Sequence, residues 1–147
     1  MTENAPQYVT VGIITQDPAR SADLYSLAFG IEQVLGATQF FDDGVSCHSS
    51  EATLEGGSIT YNFYAPHERR KDIRIWSFIP VVSRDLEGTL EAAVAAGFAK
   101  KRDVGIDDKV MPGLRHGLLS DLDGNLVVVL AEDDLKRVLV RSTPSEA

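Results

Sequence analysis

The fold is decided by Leu118-Leu-Ser-Asp-Leu-Asp-Gly-Asn-Leu-Val-Val-Val-Leu-Ala131, a stretch close to the C-terminus. It predicts two strands joined by a tight turn, because Asp123-Gly124 supplies the positive φ that a hairpin turn requires. The apolar run from Leu126 to Leu130 is unbroken, as is typical of a strand that is covered on both faces. We expect this hairpin to close the core of a small α+β domain.

A weaker copy of this pattern lies about half a chain upstream. Four anchors repeat at nearly the same spacing, which varies by no more than one position: Asp17 with Asp85, Gly30 with Gly97, Gly57 with Gly124, and the strand 59–64 with 126–131. Four matches at nearly one spacing indicate a duplicated module, although few side chains are identical between the halves.

Each module is predicted to run strand, helix and three strands. The first, about 8–65, has a strand over 8–15, a helix from Asp17-Pro18 to Gly30, and strands over 31–41, 45–50 and 58–64. The second, about 73–132, has a strand over 73–82, a helix over 86–96 capped by Asp85, a strand over 98–104 and the final hairpin. A C-terminal helix or tail over 133–147 follows, and the whole chain, 1–147, is expected to form one domain.

Composition and charge narrow the class of protein. With 147 residues and 16.0 kDa, the chain is long enough for one domain with a hydrophobic core. Because no apolar run approaches the roughly 20 residues that span a bilayer, and because the N-terminus lacks a signal pattern, we expect a cytoplasmic protein without a membrane partner. A net charge of −8 argues against nucleic acid as a partner. It favours a cationic ligand, although acidity is also a common way of staying soluble.

The tandem modules resemble the vicinal oxygen chelate superfamily, which includes glyoxalase I, bleomycin-resistance proteins, fosfomycin-resistance enzymes, methylmalonyl-CoA epimerase and extradiol dioxygenases. The resemblance spans residues 8–132 and is most specific at Asp121-Leu-Asp-Gly-Asn125, close to the superfamily's usual Asp-Pro-Asp-Gly-Asn. It implies an open, barrel-like mixed sheet around a cleft, to which each module contributes half. It also implies a homodimer.

The resemblance further implies where a metal ion would bind. Metal-dependent members place ligands seven residues before the helix-capping Asp of each module and in each module's last strand. The corresponding residues are Thr10, Phe78, Val128 and the counterpart of Val128 in the first module, Tyr61. A divalent ion needs imidazole or carboxylate ligands, which none of the four supplies. We therefore expect no metal, no cofactor, and no metal-assisted glyoxalase, epimerase or dioxygenase chemistry.

The cleft is expected to be apolar and aromatic. The candidate lining residues are Phe40, His48, Tyr61, Phe63, Trp76, Phe78 and His116. The strand parity is open, so some of them face the cleft and others face the helices, and each aromatic residue alone is also an ordinary core residue. A concave aromatic site with a few polar groups suits a flat or polycyclic small molecule.

His48 and His116 have nearly the same spacing as the repeated anchors and are predicted to be pseudosymmetric partners. Facing a cleft, such a pair could act as general acid and base without a metal, because imidazole titrates near neutral pH. It could equally hydrogen-bond a ligand or lie on the outer face of the sheet. Asp121 and Asp123 are interpreted as turn and cap residues.

Two functions from different classes remain open. The favoured one is a metal-free binding protein that sequesters a hydrophobic or aromatic, antibiotic-like ligand, although the tryptophan-containing segment of bleomycin-resistance proteins is replaced by Met111-Pro-Gly-Leu-Arg115. The alternative is a metal-independent isomerase, cyclase or lyase acting on a polyketide-like or aromatic intermediate, with His48, His116 or Tyr61 transferring protons.

Overall fold

The computed structural model describes residues 7–34, 39–40, 46–65, 78–109 and 111–142 and has an α+β fold, as predicted. Its elements in chain order are β1 (Gln7–Ile14), α1 (Pro18–Phe29), β2 (Glu32–Gln33), β3 (Gln39–Phe40), β4 (Ser46–Leu54), β5 (Gly57–Tyr64), β6 (Ile79–Val82), α2 (Leu86–Ala96), β7 (Ala99–Ile106), β8 (Arg115–Ser120), β9 (Leu126–Leu130) and α3 (Glu132–Ser142). The strand predicted over 31–41 is instead two short strands, with 35–38 outside the described residues.

The chain divides into two compact units, residues 1–79 and 80–147. The first unit holds sheet 1, in the order β1-β5-β4-β2, with β3 paired to β4. The second unit holds nearly all of sheet 2, in the order β6-β9-β8-β7. Corresponding strands occupy corresponding places in the two sheets, so the predicted repeat of a βαβββ module is confirmed. That the two units make one domain stays a prediction.

The junction between first strand and helix is the same in both modules. In the first, the hydroxyls of Thr15 and Ser21 are 2.6 Å apart, and Asp17 accepts a hydrogen bond from the Arg20 backbone N–H at 3.1 Å. The second module repeats both contacts: the Ser83 and Thr89 hydroxyls are 2.6 Å apart, and Asp85 accepts from Gly88 N–H at 3.1 Å. Each aspartate satisfies a backbone donor that the first helical turn leaves unpaired.

Each helix buries one face against its own sheet. Tyr25 of α1 is buried, and its ring meets the Phe63 ring of β5 edge-on, with centroids 5.2 Å apart. In α2, the side chain of Leu90 is buried. Leu27 of α1 and Val94 of α2 are apolar but lie on the outer sides of their helices, where they are 72% and 46% exposed.

The hairpin that decides the fold is formed as predicted. Asp121 organises its turn: Oδ1 accepts from the backbone N–H groups of Asp123 at 2.9 Å and Asn125 at 2.8 Å, and Oδ2 accepts from the Asn125 side-chain amide at 3.0 Å. In β9, the residues from Val127 to Leu130 are fully buried. This is the two-sided coverage that the apolar run predicts.

The predicted C-terminal helix is present as α3, which begins at Glu132 and buries Leu135. None of the helices in the described part of the chain is long and apolar enough to cross a membrane.

Candidate functional site

The register of sheet 1 assigns its side chains to two faces. Residues directly opposite each other in neighbouring strands project from the same face. Because Phe63 contacts Tyr25 of α1, Phe63 and its in-register partners Ile13 and His48 lie on the side of the helix, the helix face. Alternate residues lie on the opposite side, which we call the far face.

Three of the predicted lining residues therefore lie on the helix face of sheet 1. Phe63 and Tyr61 are fully buried there, and His48 is half-buried. Burial raises the pKa of the Tyr61 phenol above its ordinary value, because the phenolate would lose its hydration. These three residues therefore do not belong to the far face. That they contact a ligand stays a prediction.

The other predicted lining residues fall elsewhere. Phe40 belongs to β3, but its side chain lies outside what the structure describes, and Trp76 lies outside the described residues. Phe78 is half-buried and immediately precedes β6.

The far face of sheet 1 carries mostly polar side chains, arranged in rows across β1, β5 and β4. One row is Thr10, Thr60 and Glu51; the next is Gly12, Asn62 and Ser49; the third is Ile14, Tyr64 and Cys47. Thr10 and Glu51 are exposed and Thr60 is half-buried, so the first row is accessible from solvent. The third row is an apolar cluster, in which Cys47 and Tyr64 are buried and Ile14 packs against them.

Hydrogen bonds tie the middle row together but leave polar groups available. The Ser49 hydroxyl donates to the Asn62 side-chain oxygen at 2.7 Å, which fixes the amide with its two N–H donors directed elsewhere. Ser58, two residues before Thr60 in β5 and on the same face, has a buried hydroxyl with no hydrogen-bond partner among the described residues. The sequence signal for this face is the alternation of Ser58, Thr60 and Asn62 with Ile59, Tyr61 and Phe63, which a prediction based on aromatic residues does not use.

Sheet 2 is divided in the same way. A Cβ placed on Gly117 would meet Leu90 of α2, so Gly117 lies on the helix face of sheet 2. His116 and Leu118, the neighbours of Gly117 in β8, therefore lie on the far face, together with Arg102 and Val128, which pair with Leu118. His116 is fully buried and Leu118 half-buried.

Both ring nitrogens of His116 are occupied. Nδ1 is 2.8 Å from the Leu114 carbonyl oxygen, and Nε2 is 2.7 Å from a terminal guanidinium nitrogen of Arg102. A carbonyl only accepts and a guanidinium only donates, so Nδ1 carries the proton and Nε2 accepts. Arg102 also pairs with Asp107, whose other oxygen accepts from the Lys109 backbone N–H at 2.9 Å. The imidazole thus holds the β7–β8 connection in place.

His48 and His116 are not equivalent, since the first lies on a helix face and the second on a far face. The prediction that they are pseudosymmetric partners is therefore wrong. The same comparison of faces corrects a metal position: Val128 lies on the far face of its sheet, whereas Tyr61, its predicted counterpart, lies on a helix face. The far-face counterpart of Val128 is Asn62, because the Ser83 N–H donates to the Leu130 carbonyl oxygen as the Thr15 N–H donates to that of Tyr64, which makes Leu130 the counterpart of Tyr64.

The residues at the superfamily's metal positions do not fit a divalent ion. Thr10 offers a neutral hydroxyl, Asn62 offers a neutral amide oxygen that already accepts a hydrogen bond from Ser49, and Phe78 and Val128 offer no ligand atom at all. Within the part of the chain that the structure describes, no group of three or more His, Cys, Asp or Glu residues is placed to hold a metal ion.

A separate cavity of about 470 Å³ lies between α2 and β7. It is lined by Glu87, Leu90, Glu91, Val94, Lys100, Asp103 and Val104. Glu87 pairs with Arg115, and Lys100 pairs with Asp103 at 2.6 Å, so most of the charged rim is neutralised within the unit. The cavity contains none of the predicted site residues.

Comparisons with known proteins agree with this architecture. No protein-family model and no curated protein sequence match the chain. Among solved structures, maize glyoxalase I superposes with a TM-score of 0.62 at 17% identity, covering 92% of this chain and 50% of that one. The chain therefore spans about half the length of that relative.

The same fold occurs in shorter proteins. A glyoxalase/bleomycin resistance protein/dioxygenase superfamily member from Sphaerobacter thermophilus gives a TM-score of 0.58 at 18% identity, covering 87% of this chain and 98% of that one. The chain has the vicinal oxygen chelate fold. The chain is also similar to TioX from Micromonospora sp. ML1, with a TM-score of 0.53 at 19% identity, covering 84% of this chain and 96% of that one.

Proposed function

We propose that this protein binds and sequesters a small, partly apolar or aromatic, antibiotic-like molecule, without a metal ion and without converting it. The site that we propose is the far face of sheet 1. This function combines the vicinal oxygen chelate fold with the far-face chemistry described above.

One observation favours binding over catalysis: His116 and Tyr61 are fully buried, and the third candidate proton carrier, His48, does not lie on the far face of sheet 1. His116 uses Nδ1 and Nε2 in hydrogen bonds to Leu114 and Arg102. Tyr61 is fully buried, and burial raises the pKa of its phenol, which makes it a poor base near neutral pH. His48 lies on the helix face beside Phe63, away from the accessible row.

The far face of sheet 1 has the composition of a binding surface. Its apolar cluster of Ile14, Tyr64 and Cys47 supplies contact area for a hydrophobic part of the ligand. The amide of Asn62, which lies two residues before Tyr64 in β5, supplies N–H donors that fix the ligand's orientation. This pairing of an apolar patch with a few polar groups supports recognition of an amphipathic small molecule.

The experiment is retention of small molecules from an extract of the source organism. Immobilised protein is exposed to the extract, and the eluted compounds are compared by mass and retention time with the untreated extract. We expect one compound to be retained unchanged, and its retention to survive prior dialysis against EDTA.

A matched pair of variants locates the site. Thr60→Trp places a bulky, strand-compatible side chain in the accessible row and is expected to abolish retention. Leu27→Trp adds the same ring on α1, where Leu27 is 72% exposed, and is expected to leave retention unchanged. A compound that forms only after contact with the protein, and fails to form with His48→Gln, would contradict sequestration and support the enzyme alternative.

A further inference from the structure

One row of the far face brings three oxygen-bearing side chains together across three strands. Thr60 of β5 lies directly between Thr10 of β1 and Glu51 of β4 in the register of sheet 1. Neighbouring strands are about 4.8 Å apart, so the three side chains form a row roughly 10 Å wide. Thr10 and Glu51 are exposed, and the row is open to a ligand.

We propose that this row binds a protonated primary amine of the ligand. The inference rests on the proposed function and specifies the chemical class of the molecule bound. Thr10 and Thr60 supply hydroxyl oxygens, and Glu51 supplies a negative charge beside them.

The donor set suits an ammonium group better than a divalent metal. An ammonium has three N–H donors and no acceptor, which match two hydroxyl oxygens and one carboxylate. A divalent ion would find one anionic ligand and two neutral hydroxyls, fewer charged ligands than such ions ordinarily have in proteins. A single carboxylate balances a single positive charge.

The Glu51 carboxylate is also available for such a contact. None of the ion pairs between described residues includes Glu51. The net charge of −8 adds a long-range attraction for cations, which screening by salt weakens. Ser58, two residues before Thr60 on the same face, adds a buried hydroxyl that lacks a hydrogen-bond partner within the described part of the chain.

The rows also set the spacing within the ligand. Residues two apart along a strand are about 6.6 Å apart, so the apolar cluster at Tyr64 lies roughly 13 Å from the Thr60 row, with Asn62 between them. The ligand that fits is an amine with an apolar or aromatic body that extends from the Thr60 row toward Tyr64.

The test compares tryptamine with tryptophol, its neutral analogue in which a hydroxyl replaces the amine. Each is titrated into the full-length protein, and binding is followed by amide chemical shifts in ¹H–¹⁵N NMR spectra. We expect tryptamine to bind about fivefold more tightly than tryptophol, because an accessible, hydrogen-bonded ion pair contributes an advantage of this order. The preference should shrink as salt is added.

Glu51→Gln keeps the shape of the side chain and is expected to abolish the preference for tryptamine. Glu55→Gln removes the same charge in the β4–β5 turn, and it should leave the preference intact because Glu55 is outside the row. Equal affinity for the two compounds, no binding of tryptamine, or displacement of tryptamine by one equivalent of Zn²⁺ would overturn the inference.

Failure of the inference is distinguishable from failure of the proposed function. If the compound retained from the extract lacks a basic amine, the row does not act as proposed while sequestration stands. If wild-type protein retains nothing from the extract, the proposed function itself fails.

Discussion

A close approach between β8 and α2 makes Gly117 the position most sensitive to an added methyl group. An ideal Cβ on Gly117 would lie 2.9 Å from Leu90 Cδ2 and 3.2 Å from Leu90 Cγ, and closer still to Cδ1. Leu90 is only 3% exposed, so its side chain is confined by the packing of α2. Gly117→Ala must therefore displace either the leucine side chain or the helix.

The expected cost is that of overpacking a confined site, about 1–3 kcal/mol of unfolding free energy. For a chain of this length, that corresponds to a fall in melting temperature of about 2–4 °C per kcal/mol. Leu90→Val removes the clashing Cδ atoms. The double variant Gly117→Ala/Leu90→Val should therefore lose less unfolding free energy than the sum of the losses of the two single variants. The difference, which is the coupling energy, should be about 1–2 kcal/mol.

Urea denaturation followed by circular dichroism measures all three variants. The control is Gly105→Ala in the neighbouring strand, whose added Cβ would find its nearest atom, the Asp103 carbonyl oxygen, at 4.0 Å. It should change stability by less than about 1 kcal/mol, because nothing must move. Full additivity of Gly117→Ala and Leu90→Val, or equal losses for Gly117→Ala and Gly105→Ala, would refute the packing of α2 on β8 described here.

Asp121 and Tyr61 each carry a further stability prediction. Asp121→Ala removes the acceptor of three hydrogen bonds and should cost about 2–3 kcal/mol in urea denaturation, whereas Leu122→Ala, at an exposed position in the same turn, should cost less than about 0.5 kcal/mol. Burial raises the pKa of Tyr61, so the folded state favours the neutral phenol. This contribution to stability is fully present below the pKa of the phenol in the unfolded chain, about 10, and it is lost as the pH rises above that value. Between pH 10 and 11, wild-type stability should fall more steeply than that of Tyr61→Phe, by about 1.4 kcal/mol per pH unit at most; parallel pH profiles would contradict this account.

Helix boundaries were predictable because the residues that set them act locally. Asp17 accepts a backbone hydrogen bond, and Gly30 adopts the left-handed conformation, with φ at 71°, that ends α1. Neither interaction depends on tertiary context, so the sequence pattern alone predicts them. The exposure of Leu27 and Val94 was not predictable in this way, since it depends on how far the sheet extends beneath each helix.

The candidate site was less predictable, because the face of the sheet on which a side chain lies depends on its position along the strand and not on its residue type. Tyr61 and Phe63 are aromatic and therefore candidates for a cleft, yet they pack on the side of α1. Thr60 and Asn62 alternate with them but do not indicate a site, because isolated hydroxyls and amides are ordinary on protein surfaces. The contact between the rings of Tyr25 in α1 and Phe63 in β5 was needed to decide which of the two sets lies on the far face.

The spacing between the modules shows why sequence matching alone could not transfer site positions. In the first module, Leu54 pairs with Gly57 across a two-residue turn; in the second, Ser120 pairs with Leu126 across five residues. The difference in turn length is odd, and side chains alternate faces with a period of two. A single spacing therefore cannot match faces in both strands of the hairpin: if it is right for β4 and β8, it exchanges the faces of β5 and β9.

Hydrogen bonds at the ends of the strands decide which residues correspond between the modules. The Ser83 N–H donates to the Leu130 carbonyl oxygen, as the Thr15 N–H donates to that of Tyr64, so Leu130 corresponds to Tyr64 and Val128 to Asn62. Asn62 lies on the far face, two residues after Thr60 in β5. A far-face amide, and not the buried Tyr61 phenol, therefore occupies this position in the first module. Because the two turns differ by an odd number of residues, one spacing for both strands of the hairpin assigns the position to the wrong face.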